Sequence, residues 1–392
     1  MTAPAPIAAK NLHFDRDEFA RRKEAVLGEM AREGLGALLM FRQESMYWLT
    51  GYDTFGYVHF QCMVLTDDGR IVLLTRSADR LQAAFTSIVE DVRIWVDREG
   101  AQPARDLAEI LRGLGLSGKR VGVEYEAYGL TAAKGKALEE ALAGLAATAD
   151  ASLLVSRLRA VKSAAEIAHV RRAAALADDA LAAAQARAGA GVDEAEILAD
   201  MHGAILRGGG DDPANEFIIG SGPGALMCRY YSGRRRLDAD DLLTLEFAGV
   251  YRHYHSALMR TFVIGRVDPR VRAMHEAARE ALLATEAALV PGRPLGEAFD
   301  AHARTLEAAG FGHARLNACG YSLGTTFAPN WMDWPMLYAG QSYEARPGNV
   351  IFAHMILFDA QAGLAMSLAR TSLVGERGAE PLSAAGLDLV AL

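Results

Sequence analysis

The chain has 392 residues, 51% hydrophobic and 23% charged, which excludes a disordered polyelectrolyte and leaves ample apolar mass for a core. Its net charge of −8, from 49 acidic and 41 basic residues, argues against a nucleic-acid binder, which needs a basic face. Cys62, Cys228 and Cys319 are scattered thiols without a CxxC, and no apolar run reaches the ~20 residues of a membrane span. A secreted disulfide scaffold and a membrane protein are therefore excluded, and a reducing, cytoplasmic setting is expected.

Met1 to Lys10 lacks the charged stretch and apolar core of a secretory signal. Asp15 to Glu33 is amphipathic and ends at Gly34, a helix with its C-terminal stop. Ala37 to Phe41 is a short buried strand, and Tyr47 to Leu49 leads into a turn at Gly51. Phe60 to Leu65 and Ile71 to Leu74 flank Asp67-Asp68-Gly69, a hairpin signal. Helices over Ala104 to Arg112 and Ala132 to Ala146, with strands at Val121 to Val123 and Leu153-Leu154, complete a three-layer α/β pattern.

Ser163 with Glu166 has the spacing of a capping box, opening a helix that runs to about Ala188. A boundary near residue 157 separates the α/β domain, residues 1–156, from residues 157–392. The second part has a helix over Asp193 to Arg207, glycine-rich turns, and strands at Glu216 to Ile219, Leu242 to Val250 and His253 to Val263. Helices at Arg270 to Leu289 and Leu295 to Ala309 follow. Then come a loop near Gly320 to Gly324 and paired strands at Val350 to Leu357 and Ala365 to Val374, an α+β pattern.

Leu242 to Gly265, LLTLEFAGVYRHYHSALMRTFVIG, reads as two antiparallel strands joined around Tyr251-Arg252. Glu246 interrupts the first. A carboxylate in a buried strand is costly unless it is paired or functional, whereas on an edge strand it can simply face water. Strand alternation puts His253, His255 and Ala257 on one face, so two imidazoles can aim at one cavity. Arg229 either clamps a carboxylate bidentately or continues the basic turn at Arg234 to Arg236. Trp331 and Trp334 either wall a cationic ligand or anchor their loop on the domain.

The second half resembles the pita-bread family of aminopeptidase P, prolidase, methionine aminopeptidase, creatinase and ectoine hydrolase. RLRAVKSAAEIAHVRRAA at Arg157 to Ala174 is similar to the segment opening their catalytic domain, and Glu246 to Phe262 to their first metal-binding strand pair. The resemblance implies an α/β N-terminal domain and an α+β pita-bread (creatinase/aminopeptidase) C-terminal catalytic domain. It also implies departures from the peptidases. Their two Asp, one His and two Glu metal ligands fall here on Glu246, Ala257, Tyr321, His354 and Ala369. Two-metal chemistry needs bridging carboxylates, so no dinuclear site and no cofactor is expected. One Glu with one or two His leaves at most a single weakly held divalent ion. The peptidase histidine that stabilises the scissile carbonyl falls on Arg229.

EFAGVYRHYH, Glu246 to His255, is similar to the ectoine hydrolase branch. That similarity implies hydrolysis of a C–N bond in a small zwitterionic or cyclic nitrogen compound, ectoine-like or creatine-like, without a metal. Glu246 becomes nucleophile or general base, His255 or His354 shuttles protons, and Tyr321 donates to developing charge. YWLTGYDTFGYVHFQCMVL, Tyr47 to Leu65, resembles the creatinase segment that reaches the partner's site. It implies a homodimer in which Tyr57 and His59 cap the other copy's substrate, ordinary domain packing being the alternative. The rival functions are a metal-dependent Xaa-Pro aminopeptidase or prolidase, and a non-catalytic small-ligand-binding protein on the same fold. The expected partners are a small molecule and a second copy of the chain, not a nucleic acid or a membrane.

Overall fold

The computed structural model describes residues 10–392, and the Met1–Lys10 segment weighed above as a signal lies outside them except for Lys10. The chain divides into two compact units, one ending at Arg159 and one beginning at Ala160. Among the described residues no helix is long and apolar enough to cross a membrane.

The first unit runs α1 (Arg16–Glu33), β1 (Ala37–Met40), α2 (Gln43–Thr50), β2 (Cys62–Thr66), β3 (Ile71–Arg76), α3 (Arg80–Thr86), β4 (Asp91–Trp95), α4 (Pro103–Gly113), β5 (Arg120–Val123), α5 (Ala132–Leu142), β6 (Ala147–Asp150) and α6 (Leu154–Arg159). Its described strands form one sheet in the order β4-β3-β2-β1-β5-β6. Alternation builds two cores, one on each face. Leu39, Val64, Leu74 and Val121 pack with Leu107 and Leu138 on one face. Leu38, Met63, Leu65 and Leu73 pack with Val26, Met46 and Leu154 on the other. Asp15 caps α1 by accepting from the Glu18 N–H, and Gly34 ends it at φ 66°.

Tyr47 to Leu49 lies inside α2, which ends at the expected turn, with Gly51 left-handed at φ 81°. The chain entering α2 is held by a distant residue. Glu124 accepts from the Phe41 and Arg42 N–H groups and from the Ser45 hydroxyl. Leu154 begins a helix, and the strand expected at Leu153-Leu154 lies earlier, at Ala147–Asp150. That segment has short side chains, half-buried at most, so it carries no apolar signal.

The second unit comprises α7 (Ala164–Arg187), α8 (Glu194–Arg207), β7 (Ile218–Ser221), β8 (Asp241–Tyr251), β9 (Tyr254–Ile264), α9 (Pro269–Ala288), α10 (Leu295–Ala308), β10 (Ala318–Ser322), β11 (Asp333–Tyr338), β12 (Val350–Asp359), β13 (Leu364–Gly375), β14 (Gly378–Pro381) and β15 (Val390–Ala391). The main sheet has the order β11-β10-β12-β13-β9-β8-β7. Two long hairpins, β8–β9 and β12–β13, join where Ala369 and Arg370 pair with Met259 and Leu258, and the hydroxyls of Thr371 and Thr261 bond to the backbone of Ala257 and Ser367 on either side. Ser163 and Glu166 close the predicted capping box on α7. A Cβ added to Gly249 of β8 would stand 2.0 Å from the Ala173 carbonyl oxygen and 2.4 Å from the Ala177 nitrogen of α7. Residue 249 must therefore be glycine for α7 to cross the sheet there. Ile351, Ala353, Met355, Met366 and Leu368 meet Met274, Ala281 and Leu282 of α9 in the core of the other hairpin. Side chains of opposite parity, including Glu246, His354 and Ala369, are left on the inner face.

The hairpin turn of β8–β9 is Arg252-His253, with φ of 52° and 65°, and not Tyr251-Arg252. Positive φ at both central residues matches the strand twist, as in a type I′ turn. Of the segment expected as a loop near Gly320 to Gly324, Gly320 to Ser322 belong to β10, paired on both sides, and only Leu323 and Gly324 leave the strand.

Candidate active site

Five strands place one residue each in a row across the inner face. Ile218, Glu246, Met259, Ala369 and His354 pair in that order, from β7 to β12. β8 lies between β7 and β9, so Glu246 is not an outward-facing edge residue. Its neighbours in the row are both apolar. It lines a narrow cavity with Cys228, Met259, Ile356 and Phe358, of which the last three were not singled out from the sequence. Burial pushes its carboxyl up to about 7, opposed by the charge of Arg229 and a hydrogen bond from Tyr321.

The Tyr321 hydroxyl donates to Glu246 Oε1 at 3.4 Å and accepts from Trp331 Nε1 at 2.9 Å. Burial raises its phenol well above the ordinary range, so it remains a neutral donor. The His354 ring lies 5.6 Å from that of Tyr321. Burial and the neighbouring His302 lower the His354 imidazole to about 3, and its buried Nδ1 has no hydrogen-bond partner among the described residues. His302 of α10, buried and lowered to about 4, escaped sequence reasoning because a single histidine on an amphipathic helix carries no distinguishing pattern.

Arg229 is exposed, and its charge acts on Glu246, Tyr321 and His354 alike. It is separate from the basic run that follows. There Arg234 lies over the rings of Tyr230 and Tyr231, Arg235 pairs with Asp241, and Arg236 donates to the Gly191 carbonyl.

The two strand histidines do not both face the cavity. His253 sits in the turn and stacks on Phe327 at 4.1 Å, because the hairpin closes one residue later than expected. His255 is on the inner face, but both ring nitrogens are engaged. Nε2 accepts from the Ala214 N–H at 3.0 Å, so Nδ1 carries the hydrogen and donates to the His253 carbonyl at 2.8 Å. Burial depresses this imidazole to about 3. A ring locked on both sides in its neutral form holds the loop in place and is unsuited to shuttling protons.

Trp331 is buried beside this cluster, 6.3 Å from the His255 ring, whereas Trp334 stands edge-on to Tyr343 at 5.0 Å, so the two do not make one aromatic box. In the first unit Tyr57 is buried against Phe55, while His59 and Phe55 (69% exposed) face outward.

Residues 168–376 match Metallopeptidase family M24, and residues 22–161 match the Creatinase/Prolidase N-terminal domain. The chain is 27% identical over 365 residues to an ectoine hydrolase of Halomonas elongata, covering 86% of this chain and 90% of that protein. It is also 27% identical over 399 residues to an uncharacterized hydrolase/peptidase, y4tM, of Sinorhizobium fredii, covering 97% and 98%. A recombinant prolidase from Thermococcus sibiricus shares the fold, with a TM-score of 0.85 over 97% of this chain and 100% of that chain at 18% identity.

The family's description implies metal ions, and the residues present do not fit a pair of them. Ala257 and Ala369 have no donor atom, and the Tyr321 oxygen is a neutral phenol engaged by Trp331. Glu246 and His354 are separated in the row by Met259 and Ala369, neither of which offers an oxygen or nitrogen side-chain ligand. Among the described residues no three His, Cys, Asp or Glu side chains are grouped to hold a metal ion. The family match spans more than half of the chain and its N-terminal companion domain precedes it, so the chain belongs to metallopeptidase family M24 and is a hydrolase of that creatinase/prolidase family.

Proposed function

We propose that this M24 hydrolase cleaves a C–N bond in a small zwitterionic or cyclic nitrogen compound, ectoine-like or creatine-like, without a metal centre. The observation that carries the proposal is the row itself. Where a two-metal peptidase needs facing carboxylates, Glu246 stands between Ile218 and Met259 with a phenol as its hydrogen-bond partner. The ectoine hydrolase relative, similar over 86% of this chain, points to the same chemistry.

In this mechanism Glu246 is the nucleophile or general base. As nucleophile, one carboxylate oxygen bonds to the electrophilic carbon and the C–N bond breaks as the nitrogen takes a proton. Water then adds to the carbon of the resulting covalent ester-type intermediate, whose bond to the Glu246 oxygen breaks to restore the carboxylate. As base, it removes a proton from the attacking water. Tyr321 donates to negative charge as it moves between Glu246 and substrate. With His255 committed to the loop, His354 is the imidazole left to carry a proton. It starts neutral, and a carboxyl arriving with the substrate raises its basicity. Arg229 draws the substrate carboxylate to the mouth of the cavity. A second copy of the chain contributes the outward-facing turn that bears His59, with Tyr57 supporting that turn from within.

The test is product formation followed by proton NMR, with and without chelator. The panel contains ectoine, hydroxyectoine, creatine, proline dipeptides and small betaines. Chelator-resistant turnover of a cyclic or zwitterionic compound is expected. Dipeptide cleavage lost with chelator would overturn the proposal, and ligand-induced shifts without turnover would replace it with a binding protein.

A further inference from the structure

Trp331 is buried, and its one polar side-chain atom is engaged within the protein. Its indole nitrogen donates to the Tyr321 hydroxyl at 2.9 Å. Indole N–H is a donor only, whereas a phenol hydroxyl is one donor with two acceptor lone pairs. The Trp331 hydrogen therefore occupies a lone pair of the Tyr321 oxygen, and the hydroxyl's own hydrogen must go elsewhere. The acceptor it meets is Glu246 Oε1, at 3.4 Å. Catalytic hydrogen bonds of this kind are often long in the unliganded state and tighten around substrate.

Trp331 is itself held from behind. Its backbone N–H donates to the Asn215 side-chain oxygen at 3.2 Å, and the neighbouring Ala214 N–H is fixed by His255. Thus β9 anchors residues 214–215, these anchor residue 331, and the indole meets Tyr321 on β10. That chain of contacts explains a buried histidine with no free nitrogen.

We infer that Trp331 is a positioning residue, whose N–H directs the Tyr321 hydroxyl hydrogen onto Glu246 and leaves the second Glu246 oxygen to face substrate. Its catalytic meaning rests on the proposed function, but the hydrogen-bond direction does not. In the nucleophilic mechanism the benefit is regiochemical, since one carboxylate oxygen is occupied and the other attacks.

Two measurements on the full-length protein separate the claims. The protein has four tryptophans, so its nitrogen-15 spectrum holds few indole signals, and the one lost in Trp331→Phe is that of Trp331. In Tyr321→Phe this signal is expected to move upfield and to exchange faster with solvent, because its acceptor has gone. An unmoved signal would overturn the inference, whatever the substrate panel yields. Where the panel yields turnover, Trp331→Phe and Tyr321→Phe are each expected to lower kcat about tenfold with KM little changed. The double variant is expected to be no slower than Tyr321→Phe alone, because Trp331 acts only through Tyr321. Multiplying factors would overturn the inference. If Trp331→Phe does not fold, the isostere with sulfur in place of the indole N–H keeps the shape and removes only the donor. It is then expected to reproduce the loss, and wild-type turnover from it would overturn the inference.

Discussion

At the scale of single residues, the proposed mechanism turns on the charge state of Glu246. Burial raises its carboxyl from the ordinary 4.5 to about 7. The proposed attack requires an ionised Glu246, so turnover is expected to rise with pH through about 7, and Glu246→Gln is expected to lower kcat at least about 100-fold with folding intact. A pH–rate profile and a melting curve of the variant check both points. The same shift has a stability consequence of opposite sign. A carboxyl raised in the folded state is still protonated where the unfolded chain has ionised. Wild-type stability is therefore lost as pH rises from 4.5 to about 7. Urea unfolding is expected to show Glu246→Gln gaining about 2–3 kcal/mol on wild type between pH 5 and pH 8. A gain of this sign is what a carboxylate retained for function and not for folding predicts. Glu246 was legible in the sequence because a lone carboxylate in an apolar strand has few innocent explanations. His255 was misjudged for a related reason. Alternation gives the face of a side chain, but not the distant Ala214 N–H that occupies its ring nitrogen.

At the scale of elements, the β8–β9 hairpin carries the site and α7 backs it. The contact is so close at Gly249 that an added Cβ would overlap backbone atoms of Ala173 and Ala177. Gly249→Ala is thus expected to cost about 2–4 kcal/mol, read from urea midpoints, by pushing α7 off the sheet. The same variant is expected to disturb the row containing Glu246, three residues away on the opposite face. Local signals served well where they were self-contained. The capping box at Ser163 and the stop at Gly34 both operate within a few residues, and the structure shows both of them. They failed where a distant residue supplies the missing group. The chain entering α2 is held by Glu124, which accepts from the Phe41 and Arg42 N–H groups more than 80 residues earlier, so nothing near Tyr47 announced a helix. The turn at Arg252-His253 is fixed from outside in the same way, since the Thr326 N–H donates to the His253 carbonyl and Tyr254 bridges to Thr325.

At the scale of the whole molecule, burial lowers the imidazoles of His255 and His354 to about 3 and that of His302 to about 4. The unfolded chain binds their protons below 6.5 and the folded chain does not, so their contribution to stability is lost as pH falls through that window. His302→Leu removes one such group far from Glu246 in sequence. Its urea midpoint is expected to fall less steeply than that of wild type between pH 7 and pH 4.5, and an equal slope would contradict the assignment. The amphipathic helices, the α/β and α+β halves and the cavity's one carboxylate were determined by the sequence alone, because periodicity, caps and the cost of a buried charge are local properties. Which groups meet was decided by the tertiary structure. Glu246, Met259, Ala369 and His354 come from four strands up to 123 positions apart and become neighbours only through strand register. Tyr321 and Trp331 join them because β10 pairs beside β12, while Trp334, three residues on, turns to Tyr343. Pairing energies depend on partners that lie far away along the chain, so this convergence is a property of the packed molecule and of no segment within it.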